Sequence, residues 1–470
     1  MGNAGSRTRY LAKNTLIFSL GNIGSKLVAF FLVPLYTNAL VTGQYGTADL
    51  ITNICIVVAP VIFLNIGEAV MRFALDKNAD IKGIMSAAYL VMLFALVPGA
   101  LFAMCILLYK RLAEYIVLIL LYVFTMGISQ IFFCYLRGKE QLLLYSVGNI
   151  IQALLIAVFN ILFLVVSGWG IKGYLLAYVI SYAITAVYAF IAGKAYESFQ
   201  GFHIDKELLK KMLLYSVVLI PNSFMWWIMN SSDRFMVIEM ISAEIAGIYA
   251  VSYKLPSIVA VVTGVFNQAY SYSAIKENDS KDRAEFNGSV FEAFFAFLML
   301  TGMALLIILK PFMIIYVESK YYTAWMFSPP LIVGMAVMSM GTFLSNFYVV
   351  YKDSKGFLIS AITGALVNIG LNFALIPWIG ALGAAVATCV SYMAVFVYRF
   401  FDIRKYIKLK VFTVRNVIAF VLLVAAAVLV YVDSLVVTGI QVILLVILII
   451  IKFEPIKTVA GKIAGGLKRK

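Results

Sequence analysis

Residues 213–240 read LLYSVVLIPNSFMWWIMNSSDRFMVIEM and residues 246–275 read AGIYAVSYKLPSIVAVVTGVFNQAYSYSAI, with the polar turn Ser242-Ala243-Glu244 between them. Each arm is long enough to cross about 30 Å of hydrocarbon as a helix. The pair therefore reads as a transmembrane hairpin, Leu213–Met240 and Ala246–Ile275. Three charges lie inside it: Asp233, Arg234 and Lys254. An ionisable side chain within a membrane helix costs about 2.5–3.5 kcal/mol on insertion scales and marks function. Counted from the turn at about 1.5 Å per residue, Asp233 and Lys254 fall at one depth, roughly 10–12 Å below the same face.

The rest of the chain has the same character. Of its 470 residues 63% are apolar and 13% charged, against about 45–50% and about 25% in soluble proteins. No connection is long enough to fold as a soluble domain, which argues against a catalytic domain on a membrane anchor. Hydropathy predicts an all-α polytopic protein with about fourteen spans. They run Asn14–Ala39, Ala48–Phe73, Ile84–Tyr109, Ala113–Leu136, Leu143–Val166, Gly173–Ile191, Leu213–Met240 and Ala246–Ile275. Glu292–Leu309, Pro330–Val350, Leu358–Trp378, Gly383–Arg399, Val414–Val432 and Leu435–Ile451 complete the set. Pro34, Pro60, Pro221 and Pro256 fall inside these segments, where each removes a backbone hydrogen bond and can bend the helix. The basic start, Met1 to Lys13, leads into an apolar run too long for a cleaved signal, so the first span is expected to be retained.

Lysine and arginine set the orientation. Of the 37, 29 fall on the side of the N-terminus, five on the opposite side, and Lys26, Arg234 and Lys254 within spans. The positive-inside rule then puts both termini in the cytoplasm. The formal charge of +15 reports this topology and attraction to anionic lipid, not nucleic-acid binding. At the C-terminus Ile456, Val459, Ile463 and Leu467 recur at helical spacing among lysines, which suits an interfacial helix or a solvated tail. Cys55, Cys105, Cys134 and Cys389 are scattered singly in apolar runs and read as small buried hydrophobes. With no CxxC pair or clustered histidine, no metal or redox site is expected. The one histidine, His203, lies in a polar connector and is given no catalytic role.

An internal repeat organises the spans. Thr15-Leu-Ile-Phe-Ser-Leu-Gly-Asn-Ile23 aligns with Met212-Leu-Leu-Tyr-Ser-Val-Val-Leu-Ile220, and Gly46 corresponds to Gly247. Gly173-x3-Ala177-x3-Ser181-Tyr182 in the sixth span matches Gly383-x3-Ala387-x3-Ser391-Tyr392 in the twelfth, with Asn160 and Asn372 preceding them at similar distances. Small residues four apart make a smooth face on which a second helix packs closely. The chain reads as an N-terminal six-helix lobe over 1–200, a related lobe over 201–410, an added helix pair over 411–451 and a basic cytoplasmic tail over 452–470. Six spans is an even number, so the lobes are parallel repeats, a transporter design in which two lobes rock.

The motifs that carry a family likeness run through the same elements. Lys13-Asn14-Thr15 leads to Phe31-Leu32-Val33-Pro34-Leu35-Tyr36-Thr37, then Tyr45-Gly46-x2-Asp49-Leu50 and Arg72-Phe73. Asp233-Arg234-Phe235, Gly247-Ile-Tyr249-Ala-Val-Ser-Tyr253-Lys254 and Phe266-Asn267-Gln268-Ala269-Tyr270 follow. Over essentially its whole length the chain resembles the bacterial oligosaccharide flippases of the multidrug/oligosaccharidyl-lipid/polysaccharide exporter superfamily, with a MATE-like fold. The resemblance implies movement of undecaprenyl-diphosphate-linked oligosaccharide across a bacterial plasma membrane, by alternating access through a cationic lumen.

Such a substrate asks for cations to meet its diphosphate and for polar or aromatic groups to meet its sugars. Lys26, thirteen residues into the first span, is a lumen cation, an ion-pair partner or a snorkelling residue. Arg72 is the first cation met from the cytoplasm or an ordinary boundary charge, and Glu68 one turn before it has the spacing of a pair. Arg234 and Lys254 form the matching set in the second lobe, so that substrate-binding cations are shared between the lobes. Asp233 is their structural partner or the site of a coupling cation. Trp226, Trp227, Tyr249, Tyr253, Tyr270 and Tyr272 either stack on sugars or pack. The sequence carries no nucleotide-binding G-x4-G-K-[ST] loop, so no cofactor is expected and an Na+ or H+ gradient, or the membrane potential, is the expected energy source. The expected partners are lipid-linked oligosaccharide, membrane lipids, and the glycan polymerase and glycosyltransferases of the same pathway, with the chain itself a monomer. A drug/cation antiporter of the same superfamily is the alternative, although it needs more lumen carboxylates. A membrane glycan polymerase is the second, although the outer loops are short.

Overall fold

The structure, a computed structural model, describes residues 24, 26–76, 78–276, 283–351 and 353–453. It is all-α. The repeat arm Thr15–Ile23, the Lys13-Asn14-Thr15 motif and the tail carrying Ile456 to Leu467 lie outside the described residues, as does the side chain of Tyr272.

The chain divides into two compact units, Met1–Trp227 and Ile228–Lys470. The first holds α1 (Lys26–Ala39), α2 (Thr42–Ile62), α3 (Ile66–Ala74), α4 (Ile81–Phe94), α5 (Leu96–Leu108), α6 (Ile116–Gly138), α7 (Leu142–Asn160) and α8 (Gly170–Ala192). Helix α9 (Lys206–Met240) runs through the division. The second unit continues with α10 (Ala243–Ser252), α11 (Lys254–Lys276), α12 (Arg283–Tyr316), α13 (Ser328–Val350), α14 (Ser354–Ile379) and α15 (Ala381–Asp402). It ends with α16 (Val414–Leu429) and α17 (Leu435–Ile451). Among the described residues ten helical segments are long and apolar enough to cross a membrane, or eleven if the bent pair α10–α11 is one span. Three shorter apolar helices, Lys26–Ala39, Val414–Leu429 and Val436–Ile451, stand beside them. The chain is thus a multi-pass membrane protein; ten or eleven segments among its described residues have the length of a full span, where hydropathy predicts fourteen over the whole chain.

Each unit repeats one packing scheme. In the first, α8 lies against α6 and α7; in the second, α15 lies against α13 and α14. The repeated small-residue motif makes both contacts. Ala177 and Ser181 on α8, and Ala387 and Ser391 on α15, are wholly buried. A Cβ on Gly173 would sit 3.0 Å from the backbone of Phe163, and one on Gly383 only 2.5 Å from the carbonyl of Leu375. The glycines are there because a neighbouring backbone occupies the space a side chain would need.

Two predicted spans are broken. The expected helix Ala48–Phe73 stops at Ile62 and restarts at Ile66. The N–H of Asn65 donates to the Pro60 carbonyl at 2.6 Å and that of Leu64 to the Val61 carbonyl at 3.1 Å, a Schellman termination. Leu64 and Asn65 both have positive φ, 49° and 51°, each costing about 1–3 kcal/mol in a residue other than glycine. The expected helix Ala246–Ile275 bends by 42° at Tyr253. Pro256 falls in the first turn of α11, where its missing N–H is harmless, so it follows the bend instead of kinking a continuous helix.

The connections are pinned by short polar devices. Asp80 caps α4 by accepting the Gly83 N–H at 3.0 Å, and Asp353 caps α14 by accepting the Gly356 N–H at 2.9 Å. The Gly356 N–H, with Lys405 at 2.9 Å, holds the Asp353 carboxyl down at about 2. His203, in the connector before α9, places Nε2 2.7 Å from Asp80 Oδ2. At the far end Lys452, expected at the start of the basic cytoplasmic tail, is only 1% exposed and bridges Glu292 and Asn416. The cysteines depart from expectation: Cys55 is buried, Cys134 and Cys389 are partly buried, and Cys105 lies on the outer, apolar surface of α5.

Candidate functional site

Helix α9 carries the polar run Asn230-Ser231-Ser232-Asp233-Arg234 between apolar neighbours. Asp233 is wholly buried. Its Oδ1 accepts the backbone N–H of Arg234 at 2.9 Å. Its Oδ2 accepts hydrogens from the hydroxyls of Tyr249 at 2.7 Å, Thr388 at 3.2 Å and Tyr253. Tyr249 and Tyr253 are four residues apart and so present their hydroxyls on one face of the α10 turn. A buried carboxylate is tolerable when its lone pairs are met in this way.

The network continues across α14 and α15. Thr388 Oγ1 also accepts from Asn368 Nδ2 at 3.3 Å, and Asn368 Oδ1 accepts from Ser232 at 3.2 Å and from Asn372 Nδ2 at 3.0 Å. Asn230 Oδ1 accepts from the Tyr392 hydroxyl at 2.6 Å. Asn368, Asn372 and Thr388 are all 0% exposed. The Oδ1 of Asn372 is buried without a hydrogen-bond partner, an uncommon state for an acceptor. The result is a cluster of oxygen atoms around a single carboxylate, the donor set that hard cations prefer. Among the described residues no group of three His, Cys, Asp or Glu gathers as a metal cluster.

The sequence-predicted residues distribute unevenly around this network. Asp233 is its centre. The guanidinium of Arg234 lies 4.7 Å from the ring centroid of Tyr253, a cation–π contact with the ring whose hydroxyl donates to Asp233. Lys254 directly follows Tyr253, where α11 begins after the bend. In the first unit Lys26 is exposed on α1. Arg72 pairs with Asp76 at 2.8 Å, both side chains more than half exposed. That is the pair one turn later than the Glu68–Arg72 pair suggested by spacing, so the expected restraint of Arg72 by Glu68 is corrected. Glu68 instead lines a cavity of about 400 Å³ together with Arg137.

The aromatic side chains are also reassigned. Tyr249 and Tyr253 serve Asp233, while Tyr270 stacks on Phe343 at 4.3 Å and donates to Asn287. Trp227 donates its indole N–H to the Asn53 carbonyl at 2.9 Å. Packing and hydrogen bonding account for these four. Sequence reasoning missed Asn368 and Thr388, and saw Asn372 only as a repeat marker. Carboxamides four residues apart inside an apolar span were the available signal. It also missed Arg399, counted as a cytoplasmic charge but wholly buried, with Nε donating to Ser360 at 3.0 Å and an NH1 proton to the Gly341 carbonyl at 2.9 Å.

A family model described as polysaccharide biosynthesis protein matches residues 11–277. Among solved structures, the lipid II flippase MurJ in an inward closed conformation superposes with a TM-score of 0.67 at 14% identity, over 94% of this chain and 99% of its own. An outward-facing multidrug resistance MATE family transporter of the MOP superfamily gives 0.56 at 14% identity, over 84% and 94%. The Vibrio cholerae MATE transporter VcmN in its bent form gives 0.52 at 12% identity, over 86% and 99%. At these identities the likeness is one of fold. Comparison with curated protein sequences gives no match.

Proposed function

The chain belongs to the polysaccharide biosynthesis protein family, and we propose on that footing that it is a flippase for undecaprenyl-diphosphate-linked oligosaccharide in a bacterial plasma membrane. The observation that carries the reading is the family match over more than half the chain; a fold like that of a lipid II flippase over nearly all of it adds support. In this reading fourteen spans form two six-helix lobes and an added pair, with both termini in the cytoplasm. Transport proceeds by alternating access through a cationic cavity, not by catalysis.

The charges take separate tasks. Lys26, Arg72, Arg234 and Lys254 meet the diphosphate in turn from the cytoplasmic to the outer side. Asp233 holds the coupling ion. Its support is physical: a single buried carboxylate is joined through the Thr388 hydroxyl to the Asn368 and Asn372 carboxamides, an oxygen-rich network that suits Na+ and equally a proton passed to the carboxylate. Tyr249 and Tyr253 satisfy Asp233 when no ion is bound, so ion binding and hydroxyl bonding compete. Glu68 is assigned to charge balance in the first unit.

Lys26→Ala in cells should abolish surface glycan while leaving the protein in the membrane. Normal surface glycan in that strain would overturn the assignment. Uptake of cationic dyes by inverted vesicles, with no effect on glycan, would instead favour a multidrug antiporter.

A further inference from the structure

The cavity of about 400 Å³ in the first unit is not used by the cations or by Asp233. Its walls are built by helical spacing. From α6 come Gln130, Cys134 and Arg137, and from α7 come Tyr145, Asn149 and Gln152. Each trio follows an i, i+4, i+7 pattern, which is one face of a helix. Five of these six side chains are polar, so the two helices line the cavity with hydrogen-bonding groups. The Asn149 amide is oriented by donating to the Tyr145 carbonyl at 3.1 Å, and the Arg137 guanidinium lies 5.8 Å from the Tyr145 ring centroid.

The cavity is formed in advance of any ligand. The break between α2 and α3 gives it one side, fixed by the left-handed Leu64 and Asn65. The Phe63 ring fills the place where a Cβ on Gly127 would lie, 2.2 Å away. Neither feature allows the wall to collapse inward without repacking.

Its chemistry selects a ligand class. One carboxylate, Glu68, and one guanidinium, Arg137, cancel in formal charge, so a diphosphate gains little here. Each carboxamide offers a donor and an acceptor, the complement of a ring of hydroxyls. The volume is at the small end of ligand pockets, about 300–1,000 Å³, room for one or two sugar rings. We infer that this cavity is a binding subsite for a neutral sugar unit, distinct from the cations that meet the diphosphate. That the sugar arrives on a lipid carrier rests on the flippase reading; the binding itself rests on the cavity.

Cys134 in the wall provides the test. In full-length protein carrying Cys55→Ala, Cys105→Ala and Cys389→Ala, the rate of Cys134 modification by N-ethylmaleimide is followed by mass spectrometry. The additions are a panel of free hexosyl and N-acetylhexosaminyl mono- and disaccharides, with inorganic pyrophosphate as the anionic control. At least one neutral sugar should slow the reaction saturably and pyrophosphate should not. Asn149→Leu with Gln152→Leu, measured against its own rate in the absence of sugar, should raise the half-protecting sugar concentration about tenfold. Protection by pyrophosphate, or by no sugar in the panel, overturns the inference. Vesicle transport separates the two readings. If the wild-type protein moves lipid-linked glycan but no sugar protects Cys134, only the sugar site falls. If sugar protects and no lipid-linked glycan moves, the flippase reading falls and the sugar site stands.

Discussion

Asp233 takes hydrogens from three hydroxyls, Tyr249, Tyr253 and Thr388, that share no other carboxylate. Asp233→Ala leaves those donors buried without their acceptor, at about 1–3 kcal/mol for each, and should lower the unfolding temperature in detergent by several degrees. Asp233→Asn keeps an acceptor oxygen and removes the charge, so it should unfold near the wild-type temperature while losing ion-dependent transport. Equal stability of all three proteins would show that the network is not holding α9 against α10 and α15. A second titratable pair lies outside the spans. The Gly201 carbonyl, then Asp80, raise the pKa of His203 above its ordinary 6.5. A raised folded-state value means the latch contributes fully below about 6.5 and is lost as pH climbs through the raised value. Hydrogen-exchange protection of the connector 195–203 should therefore fall from pH 6 to pH 8.5, and His203→Gln should flatten that profile. Sequence spacing found Asp233 because a lone acid in an apolar run is conspicuous. It could not find Asn368, Thr388 or the Asp80–His203 pair, because neutral groups barely register in hydropathy and the latch joins residues on distant segments.

At the scale of the helix, legibility depended on whether a steric requirement is written in residue identity. The Gly383-x3-Ala387-x3-Ser391 face was readable because only small residues permit the approach. Gly383→Ala puts a methyl 2.5 Å from the Leu375 carbonyl and should destabilise by about 1–3 kcal/mol. Gly370→Ala, with open space around it, should be neutral or stabilise by up to about 1 kcal/mol. Thermal unfolding of the two variants side by side checks this, and equal shifts would refute the packing role of the motif. The break after α2 was hidden for the converse reason. Helices that stop in a left-handed residue usually do so at glycine, and here leucine occupies the position, so the apolar run continued unbroken to the eye. Leu64→Gly should relieve the strain and stabilise by about 1 kcal/mol; a loss of stability would mean that the leucine side chain contributes more than its backbone costs. The same break explains Arg72 and Glu68. Once α3 is a separate helix, Glu68 faces the cavity and Arg72 reaches forward to Asp76.

For the whole molecule, composition alone was sufficient to announce a multi-pass helical protein, because 63% apolar residues over 470 positions leave no other use for the chain. The number of spans was less legible, since hydropathy measures apolarity and not helix continuity. The short apolar helices α1, α16 and α17 meet the first criterion and not the length criterion. The parallel pairing of α6–α8 and α13–α15 supports the repeat seen in sequence, whereas the task of each cation rests on transport experiments. The decisive one uses purified protein in vesicles and a fluorescent undecaprenyl-diphosphate oligosaccharide. Wild-type protein should move the substrate across the bilayer only when an ion gradient or membrane potential is imposed, and Lys26→Ala and Asp233→Asn, inserted at equal density, should not. Movement that ignores both substitutions and both gradients would contradict the roles given to Lys26, Asp233 and the coupling ion, and no movement under any gradient would refute the proposed flippase.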